Sequence, residues 1–245
     1  MSLYQKVANA TVLIECGPSK GSGFHFLQPE IFITNYHVIE KYHGQNTPIV
    51  GVTEDGHKFD LKLFSFSPLT EFDFAILKAK GEIPNGRQVL QPKVPSSYLR
   101  GTEIAFSGFP HGIPHLLVQR AVISGHISKD IFYIDGSVNG GNSGGPIVDM
   151  SDGTVIGIVT QRRFLGAQDL DELRAAAKQL RAHCQQIAGR GSVQIMGIDF
   201  GSFSSLMAEA MLLIQEVLEA NANTGIGIGY SIQFAFEKCK EAKLI

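Results

Sequence analysis

This chain is short of cysteine, of charge and of long apolar runs, and each shortage removes a class of protein. Its three cysteines, Cys16, Cys184 and Cys239, are odd in number, widely spaced and outside any C-x-x-C pattern. Free thiols are therefore expected, not a disulfide framework. No cluster of Cys and His has ligand spacing, so neither a metal nor another cofactor is expected. Charged residues make up 18% and the formal net charge is −2, which speaks against a nucleic-acid surface. No apolar run approaches the roughly 18 residues of a membrane helix, and the start Met1-Ser2-Leu3-Tyr4-Gln5-Lys6 lacks the regions of a signal peptide. A full-length chain of this kind is expected in the cytoplasm, away from membranes.

What is present is apolar and rich in glycine: 44% hydrophobic residues and 27 glycines in 245 residues. Such a length accommodates one large all-β domain or two small barrels, and many glycines suit short strands joined by tight turns. Apolar runs bounded by turn residues read as strands at Thr11 to Cys16, Gly23 to Phe26, Ile31 to Asn35, Ile49 to Thr53 and Lys58 to Phe66. A polar connector, Gln91 to Ser97, then separates two halves. After Gln161 the period changes. Asp169 to Glu172 opens like a helix cap, and Leu170, Leu173, Ala177, Leu180, Cys184 and Ile187 follow at helical spacing. A second helix is predicted from Ser204 or Ser205 to Ala220, with a glycine-flanked, partly strand-like segment before it, and a strand returns at Ile226 to Ile232.

The chemistry is written in Asn139-Gly140-Gly141-Asn142-Ser143-Gly144-Gly145-Pro146. A serine in a glycine-rich turn becomes a useful nucleophile when a base, an acid that orients the base, and amide donors for an oxyanion lie around it. His37 closes the apolar run that starts at Phe32, and Asp73 stands at the mouth of Phe74 to Lys78. The order His37, Asp73, Ser143 is one of three known for such triads. Gly141 to Gly145 also satisfies the G-x-S-x-G pattern of α/β-hydrolases. That fold, however, needs its acid and histidine after the serine and a helix after the turn; only His183 follows, and Pro146-Ile147-Val148 reads as a strand. Each piece alone has a plain reading, since Asn-Ser-Gly-Gly is turn chemistry and His37 and Asp73 are ordinary residues at strand ends. His25, His43, His57, His111, His115, His126 and His183 have no comparable setting and are expected to be surface or satisfied polar residues.

These blocks together resemble the chymotrypsin-fold serine proteases, and within them the HtrA (Deg) branch. Gly21-Ser22-Gly23-Phe24 with Ile33 to Ile39, Asp73 to Lys78, Gly101 to Gly112 and Gly153 to Ile158 match in order, covering about residues 10 to 162 plus 225 to 236. The resemblance implies an all-β fold of two six-stranded antiparallel barrels. One spans residues 1–95 with His37 and Asp73; the other spans 96–245 with Ser143 and a helical insertion at about 164–222. It implies a serine endopeptidase in which His37 moves the proton, Asp73 orients His37, and the amides of Gly141 and Ser143 hold the oxyanion. Ser137, Val138, Asn139, Val159 and Thr160 would line the first substrate pocket, and an extended substrate would pair beside Val155 to Thr160. Ser137 carries no charge, so small or medium apolar side chains are expected before the cleaved bond; Asp135 keeps a basic preference open.

Three departures from the family stand out. Asn142 offers no acid for a trypsin-like zymogen switch. Only a short tail follows Phe236, with no PDZ-like continuation expected. The insertion is either a local stabiliser or a lid or docking surface for an activating protein partner. Alternatives of other classes are a catalytically latent peptide-binding module on the same fold and a hydrolase of esters or other acyl groups; comparing peptide with ester turnover separates the last from an endopeptidase.

Overall fold

A computed structural model describes residues 1–94, 98–162, 167–189, 193–221 and 225–244. It divides into two compact units, Met1–Arg162 with Gly225–Ile245, and Arg163–Thr224. The first unit holds both barrels. β1 (Thr11–Cys16), β2 (Ser19–Phe26), β3 (Gln28–Thr34), β4 (Ile49–Val52), β5 (Lys58–Ser67) and β6 (Phe74–Ala79) close in the order β1-β2-β3-β6-β5-β4. β7 (Glu103–Gly108), β8 (Leu117–His126), β9 (Ile131–Asp135), β10 (Pro146–Asp149), β11 (Val155–Arg162) and β14 (Ile226–Ser231) close as β10-β11-β14-β9-β8-β7. Every ladder in both barrels is antiparallel. The all-β fold of two six-stranded barrels expected from the sequence is therefore present. Of the connector, Pro95 to Ser97 lie outside the described residues.

Alternation explains the barrels. In β5, Phe59 and Leu61 point inward while Lys58, Asp60 and Lys62 point out, the period of two that places one face on a core. A bulge between Leu63 and Ser65 then shifts the register, leaving Phe64 and Phe66 on the outer side. Val12, Ile14, Phe32, Ile39 and Leu77 fill the first barrel, and Phe106, Ile123, Phe132, Ile134 and Ile156 the second. A third cluster joins them: Phe24, Phe26, Ile33 and Ile76 pack with Val148, Val155 and Ile158. Each fully buried side chain of this size contributes roughly 1.5–3 kcal/mol of burial, so this shared cluster holds the two barrels together.

Helices occur where the sequence showed no strong period. α1 (Leu3–Ala10) is capped by Ser2, which accepts from Gln5 N, and buries Val7 and Ala10. His37 lies in the first turn of α2 (Tyr36–Gln45), not in a strand-end turn as expected. α5 (Gln233–Glu241), for which the sequence reading gave no helix, stacks Phe234 on Phe72 beside Asp73.

The second unit contains α3 (Ala167–Ala188), a small ladder of β12 (Gln194–Ile195) and β13 (Ile198–Asp199), and α4 (Phe200–Asn221). α4 starts earlier than the predicted Ser204 or Ser205, because Asp199 supplies the first-turn acceptor for Ser202 N at 2.7 Å. Residues 163–166, 190–192 and 222–224 of the predicted insertion lie outside the described residues. On α4, Ser204 and Ala208 are buried, whereas Phe203, Leu206 and Leu213 are exposed. Among the described residues no helix is long and apolar enough to cross a membrane.

Candidate active site

Asp73 stands where β6 begins, in a left-handed backbone conformation (φ +45°) that non-glycine residues seldom adopt. Its turn is tied by Asp73 N and Glu71 N donating to Pro68 O, and by Ser67 Oγ accepting from Phe72 N. The strained residue is thereby held, and its carboxylate, with no solvent exposure, turns to the start of α2. Asp73 Oδ1 accepts from His37 N at 3.0 Å, and Oδ2 lies 2.7 Å from His37 Nδ1. One oxygen thus caps a helix N-terminus, where a negative charge is favoured, and the other fixes the ring. With Nδ1–H donating to Asp73, Nε2 is left as the basic nitrogen. Among the described residues Nε2 has no hydrogen-bond partner.

Ser143 sits on the loop between β9 and β10. Three carbonyls of that loop are committed: Gly140 O accepts from His111 N at 2.7 Å, Gly141 O from Ser22 Oγ at 2.7 Å, and Asn142 O from Gly145 N at 2.9 Å. A trans peptide directs its N–H opposite to its C=O, so the amide of Gly141 faces away from His111. The amides of Gly141 and Ser143 have no acceptor among the described residues. These are the two donors the sequence assigned to an oxyanion. Gly141 has φ +93°, and a Cβ there would come within 2.1 Å of Phe109 O; only glycine fits.

Two contacts bring the barrels together here. Ser22 N on β2 donates to Ser143 O at 2.7 Å, and a Cβ on Gly144 would strike Ser22 O at 2.1 Å and Thr34 Oγ1 at 2.4 Å. Asn35, which precedes α2, donates through Nδ2 to Asp73 O at 2.7 Å and to Thr160 Oγ1 at 3.2 Å. Thr160 O accepts from Ser143 Oγ at 3.1 Å. The serine hydroxyl is thus engaged by β11, while the histidine is engaged by the aspartate.

The substrate-side residues are more dispersed. Val138 and Val159 are buried in the second-barrel core, while Ser137 and Asp135 are exposed. Among the described residues Ser137 therefore does not form the base of an enclosed pocket. Nor can a strand pair along the whole of Val155 to Thr160, because Val155 to Val159 are already taken. β10 and β14 occupy the two edges of β11 through Ile158, and the Gly144–Gly145 turn bonds Val159. Among the described residues no strand pairs with the β10 side of β11 from Thr160 to Arg162. Sequence reading gave no role to His111 or Ser22; both lay within matched blocks, but their contacts are non-local.

Elsewhere, His25 is fully buried with Nδ1 2.6 Å from Pro29 O, and desolvation lowers its pKa to about 4. Cys16, Cys184 and Cys239 are free thiols, and burial raises Cys239 to about 12. Among the described residues no group of three or more His, Cys, Asp or Glu could hold a metal ion.

Residues 21–158 match the family described as trypsin-like peptidase domain. Protease Do-like 1, chloroplastic, of Arabidopsis thaliana is 32% identical over 159 residues, 60% of this chain and 34% of that protein. Serine protease HTRA4 of Mus musculus is 30% identical over 192 residues, 74% of this chain and 38% of that protein. The solved serine endoprotease from Yersinia pestis superposes with a TM-score of 0.55 at 24% identity, covering 66% of this chain and 57% of that one. The chain thus spans between about a third and two fifths of the length of these two curated relatives.

Proposed function

Since this chain belongs to the trypsin-like peptidase family, we propose that it is a serine endopeptidase of the HtrA-like branch, acting on peptides or proteins through Ser143, His37 and Asp73. The observation that carries the reading is the pairing of His37 with a buried, doubly engaged Asp73, together with Ser143, whose own amide and that of Gly141 have no acceptor among the described residues.

Catalysis starts with a rotation. Ser143 Oγ leaves Thr160 O and reaches His37 Nε2. A substrate strand pairing with the open edge of β11 would donate a main-chain N–H to that same Thr160 carbonyl, so substrate binding itself would release the hydroxyl. Oγ then bonds to the scissile carbonyl carbon as its proton passes to Nε2, and the carbonyl oxygen becomes an oxyanion held by Gly141 N and Ser143 N. His37 returns the proton to the leaving nitrogen as the C–N bond breaks. Water, activated by the same imidazole, adds to the acyl-enzyme and expels Ser143 Oγ, which regains its proton. Asp73 stays ionised throughout and stabilises the imidazolium.

The preference for small or medium apolar side chains before the cleaved bond rests on the resemblance alone, since Ser137 is exposed among the described residues. Regulation through the insertion is supported by the apolar side chains exposed on α4, which suit an activating protein partner. Deleting residues 164–222 and finding unchanged activity and unchanged partner response would refute that role. A second reading, a latent peptide-binding module, is favoured by the bond from Ser143 Oγ to Thr160 O.

The test is covalent labelling of the wild type and Ser143→Ala with a fluorophosphonate, read by mass spectrometry, followed by peptide turnover. A single adduct on Ser143 in the wild type and none in the variant is the expected result. Absence of labelling in both, with peptide binding retained, would establish the latent reading instead.

A further inference from the structure

β2 pairs with β3 only from Gly23 onward, so at Ser22 one side of β2 is left for another partner. The nucleophile loop takes it. Ser22 is fully buried and all of its polar atoms are used. Its N donates to Ser143 O at 2.7 Å, and its O accepts from Thr34 Oγ1 at 2.6 Å. Its Oγ accepts from Phe109 N at 2.9 Å and donates to Gly141 O at 2.7 Å. Gly108 leaves the space for this hydroxyl, since a Cβ there would lie 2.6 Å from Ser22 Oγ.

The geometry points to Ser22 as a positioning residue for the oxyanion site, a role that rests on the endopeptidase reading above. Gly141 is a glycine at positive φ, so the peptides on either side of it can turn at little steric cost. Two contacts stop them: His111 N on Gly140 O, and Ser22 Oγ on Gly141 O. Ser22 couples those restraints, because the same oxygen also holds Phe109 N, two residues before His111. Without the hydroxyl, the buried Gly141 O and the part-buried Phe109 N both lack a partner. The cheapest relief is rotation of the loop peptides towards water or towards each other. Ser22 Oγ restrains the Gly141–Asn142 peptide directly, and through Phe109 N it anchors the loop whose His111 N holds Gly140 O; release of both lets the Gly140–Gly141 peptide turn and swings Gly141 N out of line with Ser143 N. Ser22 touches neither substrate nor Ser143 Oγ, so its effect falls on the transition state, in which an oxyanion exists, and not on ground-state binding.

The full chain carrying Ser22→Ala, and in parallel the near-isosteric Ser22→Cys, is compared with wild type by four measurements. These are kcat and KM on a peptide amide, Ki of a peptidyl aldehyde whose hemiacetal oxygen mimics the oxyanion, and affinity for the uncleaved peptide in a Ser143→Ala background. Expected are a fall in kcat of about 10- to 100-fold, a Ki weakened by a similar factor, and KM and peptide affinity within about twofold. A simple loss of glue between barrels would lower the melting temperature and weaken peptide binding in step with Ki, which would overturn the assignment. So would a folded variant whose kcat and Ki stay within twofold. Should Ser22→Ala fail to fold, Ser22→Cys gives the same decision. A wild type that resists fluorophosphonate would overturn the endopeptidase reading and this role together; a reactive wild type with unchanged variants would overturn this role alone.

Discussion

Gly141→Ala puts a methyl group where the fold has no room for one. The added Cβ would lie 2.1 Å from Phe109 O, 2.9 Å from His111 Cδ2 and 3.0 Å from His111 N, and the backbone sits at φ +93°. All three neighbours belong to the loop after β7, two of them backbone, so no flexible side-chain tip can simply move aside. An L-residue forced into such a conformation costs on the order of 1–3 kcal/mol. The least costly response is to rotate the Gly140–Gly141 peptide, which breaks the 2.7 Å bond from His111 N to Gly140 O and adds roughly 1 kcal/mol. About 2–4 kcal/mol overall would lower the melting temperature by roughly 4–16 °C in a protein of this size. The catalytic effect should be larger. Rotation removes one of the two amides from the oxyanion, and loss of one such donor costs about 10²- to 10³-fold in kcat. Thermal unfolding, kcat and KM on a peptide amide, and the rate of fluorophosphonate labelling measure both consequences on one preparation. A variant with unchanged melting temperature and kcat within threefold of wild type would refute the loop geometry and the role of the Gly141 amide together.

Asp73→Asn should lower kcat by about 10⁴-fold with little change in KM. The amide offers one acceptor where the carboxylate met two donors, His37 N at 3.0 Å and Nδ1 at 2.7 Å; a kcat within tenfold of wild type would show that Asp73 does not set the ring. Acid stability should be dominated by His25, whose pKa is lowered from 6.5 to about 4 by burial. Because the unfolded chain binds this proton first, stability is complete above about pH 6.5 and is lost as pH falls from there towards 4. The loss reaches at most about 3 kcal/mol from the difference of roughly 2.5 units. Denaturant midpoints between pH 4 and 7 for wild type and His25→Asn check this; equal slopes against pH would exclude His25 as the cause. Phe234→Ala should destabilise the protein by roughly 1–3 kcal/mol and reduce kcat, since it removes the ring stacked on Phe72 next to Asp73. Phe234→Leu should restore most of both, and a kcat unaffected by the alanine variant would show that α5 does not steady the Asp73 turn.

Much of the architecture was legible because barrel strands carry their pattern locally. The alternation in Lys58 to Phe66 and the apolar runs at Thr11 to Cys16 and Phe74 to Lys78 needed no tertiary information. The starts of the helices were less so. α2 has Asn35 at its cap without a side-chain bond, and its real cap is Asp73, 36 residues from His37. α4 begins at Phe200 because Asp199 caps it, where the sequence favoured a serine further on.

By itself the sequence determined the residue types and their order: a serine in a glycine turn, with a histidine and an aspartate before it. It also determined the two sets of alternating strands and the two long helical periods after Gln161. Those are local properties of side chains and φ/ψ preferences. The tertiary structure alone decided what depends on backbone groups meeting across long separations. Asp73 serves the helix cap and the ring at once. His111 of the second barrel holds Gly140 O, whose peptide presents Gly141 N; Ser22 of the first holds the next carbonyl, Gly141 O; and Gly145 N holds Asn142 O, whose peptide presents Ser143 N. Ser143 Oγ rests on Thr160 O, where among the described residues β11 has no strand partner on its β10 side. A backbone N–H or C=O looks the same at every position of a sequence, so only the packed fold can show which of them are committed and which remain free for a ligand.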